Sequence, residues 1–387
     1  MKLDRHLQQV ISLKGHEEKM IPVVIQCHSQ RQLRKAARQV QQLGGKINRL
    51  LPIISGFAAE IPAREIPNLA QLPIVSFVCH DGKAQAVMDI ARPTVNTPSP
   101  IHTRLTGAGV TVAVLDTGVY PHPDLTKPVN RLVAFKDFVA NQPKSYDDNG
   151  HGTHVCGIIA GNGDLSNGRY RGIAPEAKLV VGKVLDAGAS GSFSDIIAGI
   201  QWVVKNRQRY RIRILSLSFG STAFAPCSQD PLCRAVQKAW NSGITVVTAA
   251  GNSGPGAGTI NSPGINPNII TVGSSDDRGT ASPAGDRIAP FSSRGPTIEG
   301  VTKPDVVAPG VSITSLNNQL TPSAYTTFSG TSMSTPIVTG AIALLLQKKG
   351  RLQPAVIKQQ IKDTARNLGF PVNVQGKGLL NIRKLLE

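Results

Sequence analysis

The chain has 387 residues, with 42 Lys and Arg against 24 Asp and Glu, a net charge of +18 and only 4% aromatic residues. No run of about 18 apolar residues occurs, which excludes a membrane-spanning helix. With aromatics this scarce a base-stacking surface is not expected, so the positive charge, spread along the whole chain, reads as a solvated basic face, with nucleic acid kept only as the alternative partner.

In chain order, Ile21 to Gln26 reads as a strand and Gln30 to Gln42 as a basic amphipathic helix. A Gly44-Gly45 turn follows, then strands at Lys46 to Leu51 and Gly56 to Ile61, a short helix at Ala63 to Ala70, and a strand at Val75 to Cys79. The order β-α-β-β-α-β is the ferredoxin-like plan of a small α+β domain. Arg92 to Pro100, rich in Pro and Thr, reads as a linker. Beyond it, Val110 to Leu115 and Ile244 to Ala249 read as buried parallel strands, Thr153 to Ala160 as a helix, and Met333 to Leu346 as a helix with Pro336 in its first turn.

Four short segments after the linker each set one polar or reactive residue among small neighbours: Asp116-Thr-Gly, His151-Gly-Thr-His154, Ala250-Gly-Asn252 and Gly330-Thr-Ser332-Met-Ser. Singly each has an ordinary reading. Asp116 opens a turn after a strand, His151 and His154 are structural or ligate a metal with Asp148, Asn252 is a turn residue, and Ser332 is a helix N-cap. Together they make an acyl-transfer set, in which a carboxylate orients an imidazole, the imidazole takes a proton from a serine, and an amide steadies the oxyanion. Each lies where a strand end or loop meets a helix start, the crevice side of an open α/β sheet.

These segments, in the stretches VAVLDTGVYPHPDL (112–125), NGHGTHVCGIIAG (149–161), ILSLSFG (214–220), VVTAAGNSG (246–254) and FSGTSMSTPIVTGAIALLL (328–346), resemble the subtilisin-like serine proteases of the subtilase family. The resemblance runs from about Gly107 to the C-terminus. It implies a three-layer α/β catalytic domain with a mostly parallel sheet over 107–387 and broad serine endopeptidase activity. Ser332 would be the nucleophile, His151 the base, Asp116 its orienting carboxylate, and Asn252 with the Ser332 N–H the oxyanion hole. His154 would then be structural.

The same resemblance assigns the substrate groove. Ser190-Gly191 and Ser218-Phe219-Gly220 match the two strands that hold a peptide by backbone hydrogen bonds. Leu185, Phe193, Ile196 and Phe219 match the apolar pocket for the fourth residue before the scissile bond, and Asn261 falls near the floor of the primary pocket. GGKINRLLPIISGFAAEIP (44–62) resembles the inhibitory propeptide of the family. Residues 1–88 are accordingly expected to be a ferredoxin-like inhibitory propeptide, with Cys79 to Met88 as its tail in the groove, and 89–106 the cleavage region and linker; a retained accessory domain is the alternative. The chemistry is expected to need no cofactor. Calcium is expected in a structural role, with Asp124 as a ligand and the loop 162–168 as donor.

Of five cysteines, Cys227 and Cys233 bracket a short loop that a disulfide would close in an oxidising compartment, and Cys156 is expected behind His151, where a mercurial would disturb catalysis. Met1 to His6 lacks a secretory apolar run, so the expected location is the cytoplasm, as in signal-less intracellular subtilases, with secretion by a non-classical route as the alternative. The rival functions are an inactive binding module of the same fold and a metal hydrolase on Asp148, His151 and His154; the flanks contain no zinc-protease motif. The sequence gives no oligomeric state.

Overall fold

The computed structural model describes residues 2–4, 7–8, 11, 18–85, 105–278 and 285–387. Most of the expected cleavage region and linker lies outside these residues.

The N-terminal unit runs β1 (Met20–Cys27), α1 (Leu33–Gln42), β2 (Lys46–Leu51), β3 (Gly56–Pro62), α2 (Ile66–Gln71) and β4 (Val75–His80). Its sheet has the order β2-β3-β1-β4 with every pair antiparallel, as the ferredoxin-like plan requires. In α1 the buried residues are Ala36 and Val40, four apart, so one stripe of an otherwise polar helix meets the sheet. Strand alternation splits β1 between two cores. Val23 and Ile25 face α1 and α2, whereas Val24 faces away, into a core shared with the second unit.

After a short strand β5 (Lys83–Gln85), the second unit runs β6 (Thr111–Asp116), β7 (Leu132–Asp137), α3 (His151–Ala160), β8 (Lys178–Lys183), β9 (Ser190–Ser192), α4 (Phe193–Asn206) and β10 (Ile212–Leu217). It continues with α5 (Pro231–Asn241), β11 (Thr245–Ala249), β12 (Ile270–Asp276), β13 (Arg287–Ile288), β14 (Val306–Pro309), β15 (Ile313–Leu316), β16 (Tyr325–Phe328), α6 (Thr331–Lys349) and α7 (Pro354–Thr364). The main sheet has the order β13-β12-β11-β10-β6-β8-β7, with β14 also on β12, and is parallel except at β12–β13. Its central strands are apolar throughout because both faces are covered. Val112 and Val114 of β6 pack with α3 and α6, while Ala113 and Leu115 pack with α4 and α5. The result is a three-layer α/β unit. Among the described residues no helix is long and apolar enough to cross a membrane.

The N-terminal sheet docks on α4 and α5. Val24, Leu51, Ile54, Ala58, Phe77 and Cys79 join the apolar core formed with Ile196, Leu232 and Val236. Polar contacts ring it: Arg49 pairs with Asp195 at 2.6 Å, Ile53 N–H donates to Gln201 Oε1 at 3.1 Å, and Arg234 donates to Gln26. Asp81 accepts from Ser194 N at 2.9 Å and Ser194 Oγ at 2.6 Å, capping the first turn of α4 from outside the helix.

Candidate active site

Asp116 ends β6 at the carboxyl edge of the sheet and is fully buried. Its Oδ1 lies 2.6 Å from Nδ1 of His151 and also accepts from Thr117 N at 2.8 Å. His151 is the first residue of α3, after Gly150 at φ 105°, and the next residue has to be glycine. A Cβ at Gly152 would lie 2.2 Å from Gly118 O, so only glycine brings the helix start this close to the Asp116 loop. Burial alone would lower the His151 pKa. The Asp116 charge and hydrogen bond, with Asp147 further off, outweigh it, and the net shift is upward.

Ser332 is the second residue of α6, which starts at Thr331, two residues earlier than expected. Pro336 therefore lies inside the helix, beyond its first turn. A proline there supplies no N–H to the carbonyl four residues back, that of Ser332. Ser332 Oγ donates to Ser218 O at 2.7 Å, and His151 Nε2 is buried with no partner among the described residues. The structure thus joins Asp116 to His151 and leaves the His151–Ser332 contact unmade. Asn252, past β11, accepts through Oδ1 from Thr331 N at 3.0 Å and Thr331 Oγ1 at 2.7 Å. Those bonds fix which way the amide faces and keep its NH2 free to donate.

His154 has the structural role. It is buried, its Nε2 lies 3.0 Å from Ile313 O, its ring stacks near Phe328, and burial followed by the His151 charge lowers its pKa to about 3. Cys156 is fully buried, and burial pushes its thiol pKa well up. Cys227 and Cys233 are both free thiols.

Several positioning groups were not anticipated. Asp147 accepts from Gly150 N (2.8 Å), Thr153 N (2.8 Å), Thr153 Oγ1 (2.6 Å) and Thr117 Oγ1 (2.9 Å), so one carboxylate ties the start of α3 to the Asp116 loop. Lys183, buried, donates to Thr117 O at 2.7 Å and Asp148 Oδ1 at 2.5 Å. Asp148 is thereby an ion-pair partner, and among the described residues no three His, Cys, Asp or Glu side chains are grouped to hold a metal ion. The only available signal was the acidic pair Asp147-Asp148 just before a glycine and a helix.

The expected groove residues gather beside this site. Ser190 and Gly191 lie in β9; Ser218, Phe219 and Gly220 follow β10; Leu185, Ile196 and Phe219 are buried together, with Phe193 packed against them. Asn261 donates its N–H to Ala250 O at 2.9 Å, and its side chain lies so close to Gly220 and Gly251 that a Cβ at either would meet it within 2.8 Å. A cavity of about 370 Å³ opens here, lined by Gly220, Ser253 and Asn261 on one side and by Cys79, His80 and Gly82 of the N-terminal segment on the other. β5 lies antiparallel on β9, pairing Lys83 with Ser192, Ala84 with Gly191 and Gln85 with Ser190.

At Asp124 the donors do not fit calcium. Its Oδ2 accepts from Tyr325 OH at 2.7 Å and its Oδ1 from Leu165 N at 3.1 Å, while the buried Arg131 donates to its backbone carbonyl and, at 2.8 Å, to Ala160 O. A buried guanidinium beside a carboxylate already engaged at both oxygens leaves no harmonised set of oxygen ligands for a divalent ion.

The subtilase family profile matches residues 107–380. The chain is 47% identical over 294 residues to the serine protease AprX of Bacillus subtilis (strain 168), an alignment covering 72% of this chain and 66% of that protein. It is 37% identical over 337 residues to an alkaline protease of Alkalihalobacillus alcalophilus, covering 86% and 78%, a match long enough to enter the N-terminal unit. Identity to subtilisin Savinase of Lederbergia lenta is 39% over 288 residues, 74% of this chain and 94% of that one. Among solved structures, fervidolysin from Fervidobacterium pennivorans, a keratinolytic enzyme related to subtilisin, superposes with a TM-score of 0.77 at 22% identity, over 100% of this chain and 62% of that chain, a likeness of fold. The chain thus spans just under two thirds of the length of AprX and of fervidolysin.

Proposed function

This chain belongs to the subtilase family (peptidase S8), and from that membership we propose that it is a broad-specificity serine endopeptidase made as a zymogen that cuts itself. Asp116 holds the Nδ1–H tautomer of His151, whose Nε2 takes the Ser332 proton as Oγ attacks a peptide carbonyl. Negative charge on the carbonyl oxygen is met by Asn252 Nδ2 and by the Ser332 N–H at the positive end of α6. His151 then protonates the leaving amine, and water, deprotonated by the same ring, releases the acyl group. No step calls on a metal or cofactor.

One observation carries the zymogen reading: the chain's own β5 occupies the edge of β9, where a substrate would add a strand. Ala84 pairs with Gly191, whose Cα adjoins Leu185 of the apolar pocket assigned to the fourth residue before the scissile bond. With Ala84 taken as the fourth residue before the scissile bond, the cut is expected after Val87. The N-terminal unit then remains on α4 and α5 as inhibitor, held by the shared core and Asp81. Wild-type protein incubated alone should yield a new N-terminus at Met88, and the Ser332→Ala chain should stay whole. A Ser332→Ala chain that is cut at the same place by no added protease would overturn the reading.

A further inference from the structure

A second concave surface lies at the other edge of the main sheet. Asp116, Ser218 and Asn252 stand at or just past the carboxyl ends of β6, β10 and β11, whereas Gly109, Ile212 and Gly243 stand at or just before the amino ends of the same strands. Six residues in β10, at roughly 3.3 Å each, set the two edges about 20 Å apart.

The cavity at this far edge has a volume of about 730 Å³ and is lined by Arg207, Arg211, Arg213 and Arg351, with no carboxylate among its lining residues. Among the described residues none of the four guanidiniums is ion-paired. Arg213 donates to Leu352 O at 3.3 Å and Arg207 to Val204 O at 3.5 Å, which leaves most of their N–H groups free. Arg211 and Arg351 are exposed. Burial first, and then the neighbouring Arg351 charge, holds the Arg213 pKa below its ordinary value. Gln353, the N-cap of the 11-residue helix α7, is also at the rim, which adds the positive end of that helix.

We propose that this cavity binds a compact phosphate-rich anion of the di- or triphosphate class. Guanidinium forks match phosphate oxygens in bidentate pairs, and four arginines lining one cavity favour a ligand with several adjacent anionic groups over a single one. The volume is that of a small-molecule site. The lining includes no aromatic ring on which a base would stack, and a concave site suits a short anion better than a duplex.

The test is calorimetric titration of the 387-residue chain carrying Ser332→Ala, which prevents self-digestion, with inorganic tripolyphosphate at physiological salt. Saturable one-to-one binding is expected, weakened at least about tenfold when Arg211→Gln and Arg351→Gln are added. Both residues are exposed, so the melting temperature should be unchanged. Adenosine triphosphate in a parallel arm distinguishes the source: equal affinity assigns the site to the phosphate chain alone, and tighter binding to a nucleotide. Absence of saturable binding, equal affinity in the double variant, equally tight citrate, or binding of duplex DNA in place of tripolyphosphate would each overturn the proposal.

Discussion

Ser332 Oγ donates to Ser218 O at 2.7 Å while His151 Nε2, fully buried, has no partner among the described residues. The hydroxyl of Ser332, the proposed nucleophile, is therefore turned to the carbonyl of Ser218. In the proposed mechanism a peptide lying along Ser218 to Gly220 would compete for that carbonyl through its own N–H and free the hydroxyl to turn to His151. Ser332→Ala should lower turnover by on the order of 10⁶, a magnitude borrowed from the nucleophile of subtilisin. Asn252→Ala should cost about 10²–10³ in kcat with KM nearly unchanged, since its amide meets charge that exists only after attack. It should also lower the melting temperature, because Thr331 loses the acceptor for its N–H and hydroxyl. Steady-state kinetics with a peptide amide checks both; an Asn252→Ala enzyme that changes KM alone would remove Asn252 from the oxyanion hole.

Asp116, His151, Asn252 and Ser332, the proposed reactive set, stand out in the sequence because each is a polar residue among small neighbours where a strand end or loop meets a helix start. The ferredoxin-like plan was legible because its strands and helices are short, regular and separated by turn signals such as Gly44-Gly45, Pro52 and Pro73. What sequence could not supply are tertiary partners of buried charge. Asp147 binds Thr117 thirty residues away, Lys183 reaches Thr117 O, and Tyr325 completes Asp124. Nothing local marks these pairs. The early start of α6 was hidden too, because Gly330 and Thr331 carry no strong helix signal and the cap is made by Asn252 from another loop.

The upward shift at His151 sets the acid limb of the pH profile. The imidazole must be neutral to accept the Ser332 proton, so kcat/KM is full above its pKa and falls as pH drops through it. With Asp116 raising that pKa over its ordinary 6.5, the limb should sit above pH 6.5 for free enzyme. Asp116→Asn should move the limb to lower pH and cut turnover by about 10⁴. A wild-type limb well below pH 6 would contradict the assignment of His151 as the base.

Asp81 caps α4 from the side of the N-terminal unit, the proposed inhibitor, accepting from Ser194 N and Oγ across the interface. Asp81→Asn removes charge from the positive end of that helix and weakens the hold of the N-terminal unit without touching Asp116, His151 or Ser332. The lag before peptidase activity appears in a fresh preparation should shorten several-fold, with the final turnover number unchanged. An unaltered lag would show that the apolar contacts of Leu51, Ile54 and Phe77 alone retain the N-terminal unit.

The Asp124 cluster predicts how the catalytic unit responds to chelators. Arg131, buried, ties the Asp124 carbonyl to Ala160 O at the end of α3, and Tyr325 and Leu165 take the two carboxylate oxygens. An internal cation and two neutral donors therefore do the joining that a divalent ion would do between these segments. A chelator should leave the melting temperature of the protein unchanged within a degree or two. Arg131→Met should lower it by several degrees, because the buried Ala160 O loses its donor and Asp124 O keeps only the N–H of Asn162, at a cost of about 1–3 kcal/mol for the carbonyl left unpaired. A scanning-calorimetry trace that drops on adding chelator, and recovers with calcium, would place a metal at this cluster and sink the assignment of Arg131 as its cation.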